Sequence, residues 1–242
     1  MLEAAFWGLI GASTLLLGAV LAVRLPWTRR AIGRVAGFGA GALISAQTLD
    51  LTVSAFEAAG TLVVVAGLGA GAIAFSAGNW ALHRGGPIRH RKRSTGQQAG
   101  ADPQGIVLGT ILDGIPESVV IGISLLAGEG VGLAFLAAVA ISNLPEAISS
   151  TTGLRRTGWT TRRVFGLWGI VVVLSAVAAG AGYGLLVGAP LELTAIIQTF
   201  AAGAVLAMLA DTMIPEAFEE AGQASGLVTV LGYAVGVLLT LV

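Results

Sequence analysis

Long apolar runs recur through the sequence, most of them near the roughly 17 to 25 residues that an α-helix needs to cross a bilayer. Because lipid offers the backbone no hydrogen-bond partners, such runs predict transmembrane helices. The composition agrees, since 55% of the residues are hydrophobic and only 11% are charged. We expect an all-α polytopic membrane protein with eight spans, at residues 6–23, 35–55, 61–82, 106–126, 131–151, 164–186, 193–214 and 227–242.

The basic residues are confined to alternate connections. All 13 lysines and arginines lie in the loops after the first, third and fifth spans, whereas the loops after the second, fourth and sixth spans carry only acidic charges. An excess of basic residues marks cytoplasmic loops, so both termini are predicted to lie outside. No basic segment precedes the first span, which predicts a transmembrane helix and not a signal peptide. We expect an integral protein of the plasma (inner) membrane.

One connection is much longer than the others. Residues 84–105 are polar and rich in Gly, Gln and Arg, which predicts a flexible cytoplasmic loop within a single transmembrane domain of residues 1–242. The chain has no cysteine, so neither disulfides nor thiolate metal ligands are available. The basic loops are typical of proteins that contact anionic lipid, and no feature indicates nucleic acid binding.

Two segments of the chain repeat one another. Residues 38–60 and 200–222 align without gaps over 23 residues, nine of them identical, and both end in Ala-Phe-Glu-x-Ala-Gly. They belong to the second and seventh spans, which the predicted topology runs in opposite directions. This pattern predicts an inverted repeat of spans 1–3 against spans 6–8 around a central pair, spans 4 and 5, with a substrate site near the midplane.

Three Pro-Glu pairs interrupt the apolar runs, at Pro116, Pro145 and Pro215. A proline inside a helix cannot donate to the carbonyl four residues earlier, and in lipid that carbonyl needs another partner or a wet or ion-filled cavity. The glutamate after each proline adds an anionic oxygen close to the same kink.

Oxygen ligands are concentrated on the central spans. Asp113 and Glu117 share one helix face, as do Ser142 and Glu146, with Asn143 three residues from Glu146. Each intramembrane carboxylate costs about 2.5 to 3.5 kcal/mol, and no predicted span contains a Lys or Arg to neutralise one. Protonation or a bound cation must compensate. Oxygen ligands suit divalent cations, especially Mn, Mg or Ca, with Zn and Fe also possible.

Polar residues on two other spans indicate a path to and from this cluster of oxygen ligands. A stripe at helical spacing leads from mid-membrane to the outer face of the second span, and acidic residues stand at the inner end of the seventh. We therefore predict an outer entrance, a central site and an inner exit. The outer residues are Gln47, Asp50, Ser54 and Glu57, and the inner ones are Asp211, Glu216, Glu219 and Glu220.

At these residues the sequence resembles the ZIP (Zrt/Irt-like) family of divalent metal transporters. That family has His-Asn-x-Pro-Glu-Gly on its fourth helix, where this chain has Asp-Gly-Ile-Pro-Glu-Ser at residues 113–118. It has His-Glu-x-Pro-Glu on its fifth helix, where this chain has Ser-Asn-Leu-Pro-Glu at residues 142–146. Some members have an acidic residue on the sixth helix, where Ser175 is the polar residue here.

The resemblance implies a metal permease and not an enzyme, with no cofactor and with the metal ion (Zn, Mn or Fe) as substrate. It implies movement toward the cytoplasm through a site between the fourth and fifth helices. Asp113 takes the place of the first histidine as a ligand, and Asn143 keeps an oxygen at the acidic position. A homodimer in the lipid bilayer is the implied assembly.

Other interpretations of these residues stay open. Glu117 and Glu146 can serve as protonated groups hydrogen-bonded between helices, and the serines at 54 and 142 as small packing residues. One alternative function is a ZIP relative that no longer transports and acts as a scaffold or sensor. Another is an intramembrane aspartyl hydrolase that uses Asp113 and Asp211, although the sequence lacks a Gly-x-Gly-Asp element.

Overall fold

A computed structural model describes residues 1–83, 103–127 and 131–240, with only the backbone described for residues 82, 83, 103–113 and 127. All regular structure in these ranges is helical, in agreement with the predicted all-α class. Most of the loop predicted at 84–105 lies outside the described residues. The α-helices are α1 (Leu2–Arg24), α2 (Arg29–Ala46), α3 (Ser54–His83), α4 (Pro103–Ser124), α5 (Leu133–Arg156), α6 (Thr161–Leu186), α7 (Leu191–Met208), α8 (Ile214–Ala221) and α9 (Ala224–Thr240).

Helix ends follow from local sequence. Leu25, which precedes Pro26, is extended and ends α1, because a residue before proline disfavours the helical region. Thr28 caps α2 by accepting a hydrogen bond from the Ala31 amide at 3.2 Å, and Thr160 caps α6 in the same way through the Arg163 amide. The caps explain why α2 and α6 begin in basic segments, several residues before the apolar runs.

Five helical stretches among the described residues are long and apolar enough to cross a membrane, as expected of an integral membrane protein. One of them, Arg29–Ala81, contains 53 residues, more than twice the roughly 20 residues of a single span. It is interrupted at Gly60, whose φ of 78° and ψ of 177° are not helical. Two shorter apolar helices, Gly114–Ser124 and Ala224–Thr240, accompany the five.

Two π-helical segments occur at aligned positions of the internal repeat. The first, π1 (Gln47–Val53), continues α2, and the second, π2 (Leu209–Met213), continues α7. Gln47 and Leu209 occupy the same position in the alignment of residues 38–60 with 200–222. The final glycines of that alignment, Gly60 and Gly222, both have positive φ, a conformation that glycine adopts without a steric penalty.

Close helix contacts also occur at aligned positions of the two repeated segments. The most extensive interfaces join α2 to α9 and α3 to α7, followed by those of α1 with α6 and α5, and of α4 with α6. A Cβ at Gly41 would overlap the Thr229 carbonyl of α9, and a Cβ at Gly203 would overlap the Leu68 carbonyl of α3. Small residues at these two aligned positions therefore let the backbones approach closely, as is common in membranes.

The larger apolar cluster lies where α2, π1, α4, α5, α7 and π2 meet, around side chains such as Leu43, Phe135 and Leu209. A second cluster joins α1, α5 and α6 around Leu15, Leu154 and Trp168. Since α5 contributes to both clusters, it lies at the centre of the described structure, and the polar groups on α5 are positioned by helices on both sides.

Candidate functional site

A pocket lies where α2, α5 and the π2–α8 segment meet. It contains about 470 Å³ of empty space, its open mouth included. The lining residues from α5 are Pro145, Glu146 and Ser149, those from α2 are Ile32, Gly33 and Ala36, and those from the seventh predicted span and α8 are Met208, Thr212, Met213, Glu216 and Glu220.

Three carboxylates line this one pocket. Glu146 and Glu216 are half-buried and each follows a proline, and Glu220 is buried. The pocket thus brings together the predicted central residue Glu146 and the predicted inner residue Glu216. Thr212 and Ser149 add hydroxyl oxygens. All the donor atoms of these five side chains are oxygens, the set that hard divalent cations prefer.

The prolines differ in their setting. Pro116 and Pro145 lie inside α4 and α5, as predicted, so the carbonyls four residues earlier lack their usual amide donors. Pro215 instead lies in the first turn of α8, directly after π2. Met213 and Ile214 have helical φ and ψ, so Pro215 lies within one continuous helical stretch, Leu191–Ala221.

The α4 residues lie apart from this pocket. Glu117 is 4% exposed, as is Ser118, whose hydroxyl donates to the Gly114 carbonyl. Ser175 of α6 is buried and its hydroxyl lies 3.8 Å from where a Cβ at Gly114 would stand. Glu117 is not among the residues that line the pocket. The side chain of Asp113 lies outside the described residues.

Ser142 and Asn143 face neighbouring helices. Ser142 donates its hydroxyl to the Val139 carbonyl of its own helix, and its Cα lies 2.9 Å from where a Cβ at Gly39 would stand. It therefore packs against α2. The Nδ2 of Asn143 donates to the Gly11 carbonyl of α1 at 3.2 Å.

The predicted outer stripe passes from buried to exposed. Gln47 is fully buried, and neither its Nε2 nor its Oε1 has a hydrogen-bond partner among the described residues. Asp50 is half-buried, and Ser54 and Glu57 are exposed. The stripe therefore reaches the surface at its outer end, and its inner end, Gln47, is buried.

Asp211 and Glu219 are exposed and do not line the pocket. Among the side chains that the structure describes, no group of three or more His, Cys, Asp or Glu residues is arranged to hold a metal ion. The three pocket carboxylates are thus gathered around one cavity without forming a closed coordination shell.

Ser149 was absent from the predicted site. Its position three residues after Glu146 places it on the same helix face, so helical spacing was the signal that could have found it. The contact between Asn143 and α1 had no signal in the sequence, because Gly11 contributes only its backbone carbonyl. No protein-family model matches the chain, and a search of curated proteins finds no similar sequence.

Proposed function

We propose that this protein is a divalent metal ion carrier similar to the ZIP family, which moves its substrate toward the cytoplasm. The observation that carries the proposal is the grouping of Glu146, Glu216 and Glu220 around one pocket. Carboxylates inside a membrane protein are expensive and are functional in most cases. Three of them around one cavity suit a cation and would repel an anion.

The proposal includes an eight-span fold with an inverted repeat. The 53-residue stretch accounts for two spans because it breaks at Gly60. Adding α4 and α9 to the other four stretches then gives eight. Two features favour the inverted relation, namely the aligned starts of π1 and π2 and the reciprocal glycine contacts of α2 with α9 and α7 with α3. Both π segments lie along the proposed path, where such segments are often functional.

The position of the pocket favours import. Its lining residues Ile32 and Gly33 belong to the beginning of α2, beside the arginines of the α1–α2 connection, so it lies at the end of the bundle that the basic loops assign to the cytoplasm. The outer stripe is closed at Gln47 in the same structure. We infer an inward-facing state in which a cation would be released past Glu146 and Glu216.

Mn, Zn and Fe are the proposed substrates. The polar side chains that line the pocket offer only oxygen and neither nitrogen nor thiolate, which suits Mn best of the three. A homodimer in the plasma membrane, without enzymatic activity, is part of the same proposal. A relative that has lost transport is the second candidate, because the described side chains include no closed metal-binding group.

The test is influx of Mn, Zn, Fe, Co, Cd, Mg and Ca into vesicles that contain the purified full-length protein. We expect Glu146→Gln to reduce influx of the transported metal by about tenfold or more, because it removes an anionic ligand at nearly constant shape. Glu192→Gln is the matched control: Glu192 is exposed at the start of α7 and away from the pocket. Influx that is absent for all seven metals, or insensitive to Glu146→Gln, would reject the carrier.

A further inference from the structure

Two methionines line the pocket beside the three glutamates. They are Met208 and Met213, which are 5% and 9% exposed. The chain has three methionines and no cysteine, so these two carry the only sulfur atoms beyond the first residue. Both of these thioethers therefore belong to the cavity around which the three carboxylates are gathered.

The π2 segment places both methionines on the pocket side. Met208 ends α7 and Met213 ends π2, five residues later. In an α-helix, residues five apart lie about 140° from each other around the axis. Across a π turn, whose hydrogen bonds join residues five apart, they lie nearly above one another. The wider turn of π2 thus brings Met213 to the cavity that Met208 lines.

Packing alone does not require methionine at these positions. Both residues belong to the larger apolar cluster, and methionine often fills gaps in such clusters. In the repeated segment, however, the aligned residues are Ala46 and Leu51, which are also buried. The fold therefore accepts sulfur-free side chains at the aligned positions, and the thioethers occur only in the copy that lines the pocket.

The two kinds of donor atom favour different ions. Carboxylate and hydroxyl oxygens bind Mg²⁺ and Ca²⁺ as well as transition metals. The thioether of methionine is soft and polarizable, and it favours softer ions over Mg²⁺ and Ca²⁺. A pocket with both kinds of donor therefore holds a softer ion better than a hard ion of equal charge and size.

We propose that Met208 and Met213 are specificity-determining residues, whose sulfur atoms select softer divalent ions such as Zn²⁺, Fe²⁺ and Cd²⁺ against Mg²⁺ and Ca²⁺. This inference rests on the proposed function and names its substrate class, because it moves the preference of the oxygen ligands from Mn²⁺ toward Zn²⁺ and Fe²⁺. The glutamates attract any divalent cation, and the methionines discriminate among cations. Three rotatable bonds let each sulfur approach an ion without movement of the helix.

The experiment compares Cd²⁺ with Ca²⁺, since the two ions have the same charge and nearly the same size but differ in their affinity for sulfur. Calorimetry on the purified full-length protein gives both Kd values, and vesicles give both influx rates. Replacing both residues, by Met208→Leu and Met213→Leu, keeps the apolar volume and removes the sulfur. We expect the preference for Cd²⁺ over Ca²⁺ to fall by about tenfold, or ~1.4 kcal/mol, with Ca²⁺ binding little changed.

Leu209→Met is the matched control. Leu209 is buried in the same π2 segment but is not among the residues that line the pocket, so this variant adds a thioether outside the cavity. We expect it to leave the preference for Cd²⁺ unchanged.

X-ray absorption at the cadmium edge gives a second readout, which does not depend on transport. Because the chain has no cysteine, a sulfur atom beside bound Cd²⁺ can come only from methionine. We expect that sulfur signal in the wild type and not in the double variant.

The outcomes separate this inference from the proposed function. A Cd²⁺ shell of oxygen alone, or an unchanged ratio of Cd²⁺ to Ca²⁺ binding in the double variant, would overturn the inference while influx sensitive to Glu146→Gln still supported the carrier. Equal losses for both ions would assign the methionines to packing and would overturn it as well. If the wild type neither bound nor carried any of the seven metals, the proposed function and the inference would both be wrong.

Discussion

At the scale of single residues, several hydroxyl side chains in the described helices bond to their own helix. The hydroxyls of Ser118, Ser142 and Thr199 all donate to carbonyls three or four residues earlier. Asn143 and Trp168 instead make buried hydrogen bonds between helices. The Nδ2 of Asn143 donates to the Gly11 carbonyl, and the Nε1 of Trp168 donates to the Thr151 hydroxyl at 2.9 Å. Such contacts specify which helices are neighbours.

The Trp168 contact gives a prediction at this scale. Thr151→Val keeps the shape of the side chain but leaves the fully buried indole N–H without its acceptor. We expect a loss of about 1 to 2 kcal/mol in the free energy of unfolding, as for hydrogen bonds in membranes and unpaired buried donors. Unfolding in detergent measures the effect. Thr152→Val is the control, since the Thr152 hydroxyl bonds only to Ile148 of its own helix, and equal losses in both variants would contradict the assignment.

At the scale of helices, the sequence predicts where spans lie better than it predicts which of them meet. The break between the second and third spans falls at Gly60, inside the predicted gap between residues 55 and 61. Caps at Thr28 and Thr160 extend α2 and α6 beyond their apolar runs. The sequence did not reveal π1 and π2, because a π turn depends on how the helix packs and leaves no periodic signal.

The candidate site, too, was predictable within one helix but not between helices. Spacing along one helix predicts a shared face, and it grouped Asn143 with Glu146 on α5. It does not give distances between helices, so the meeting of Glu146 with Glu216 and Glu220 around one pocket emerged only from the packing of α5 and α8 against α2. The eight-span count and the inverted repeat stay predictions.

Glycine contacts between helices provide the test at this scale. A Cβ at Gly203 would overlap the Leu68 carbonyl, and one at Gly41 would overlap the Thr229 carbonyl. Because both obstacles are backbone, a helix must move, and we expect Gly203→Ala and Gly41→Ala each to cost about 1 to 3 kcal/mol or more. Gly69→Ala, with open space around its Cβ, should be nearly neutral. Thermal unfolding of the three variants measures this, and comparable melting temperatures would argue against the close α3–α7 and α2–α9 interfaces.

At the scale of the whole molecule, charge is divided between the two ends of the bundle. The α1–α2 connection and the α5–α6 connection carry arginines and lie at one end of the bundle. Glu57, near the start of α3, and Glu192, near the start of α7, lie at the other end. In a bilayer this asymmetry sets orientation, and orientation decides whether the pocket at Glu146 and Glu216 faces the cytoplasm. Import therefore depends on the direction in which the whole bundle is inserted.

Cysteine labelling tests that direction, because the chain has no cysteine of its own. Leu25, before α2, and Val187, before α7, are 51% and 58% exposed, uncharged, and predicted to lie on opposite sides. In intact cells a membrane-impermeant thiol reagent should label Val187→Cys and leave Leu25→Cys unlabelled until the membrane is permeabilised. The cysteine-free parent gives the background. The opposite labelling pattern would place the pocket outside, and the same carboxylates would then belong to the release end of an exporter.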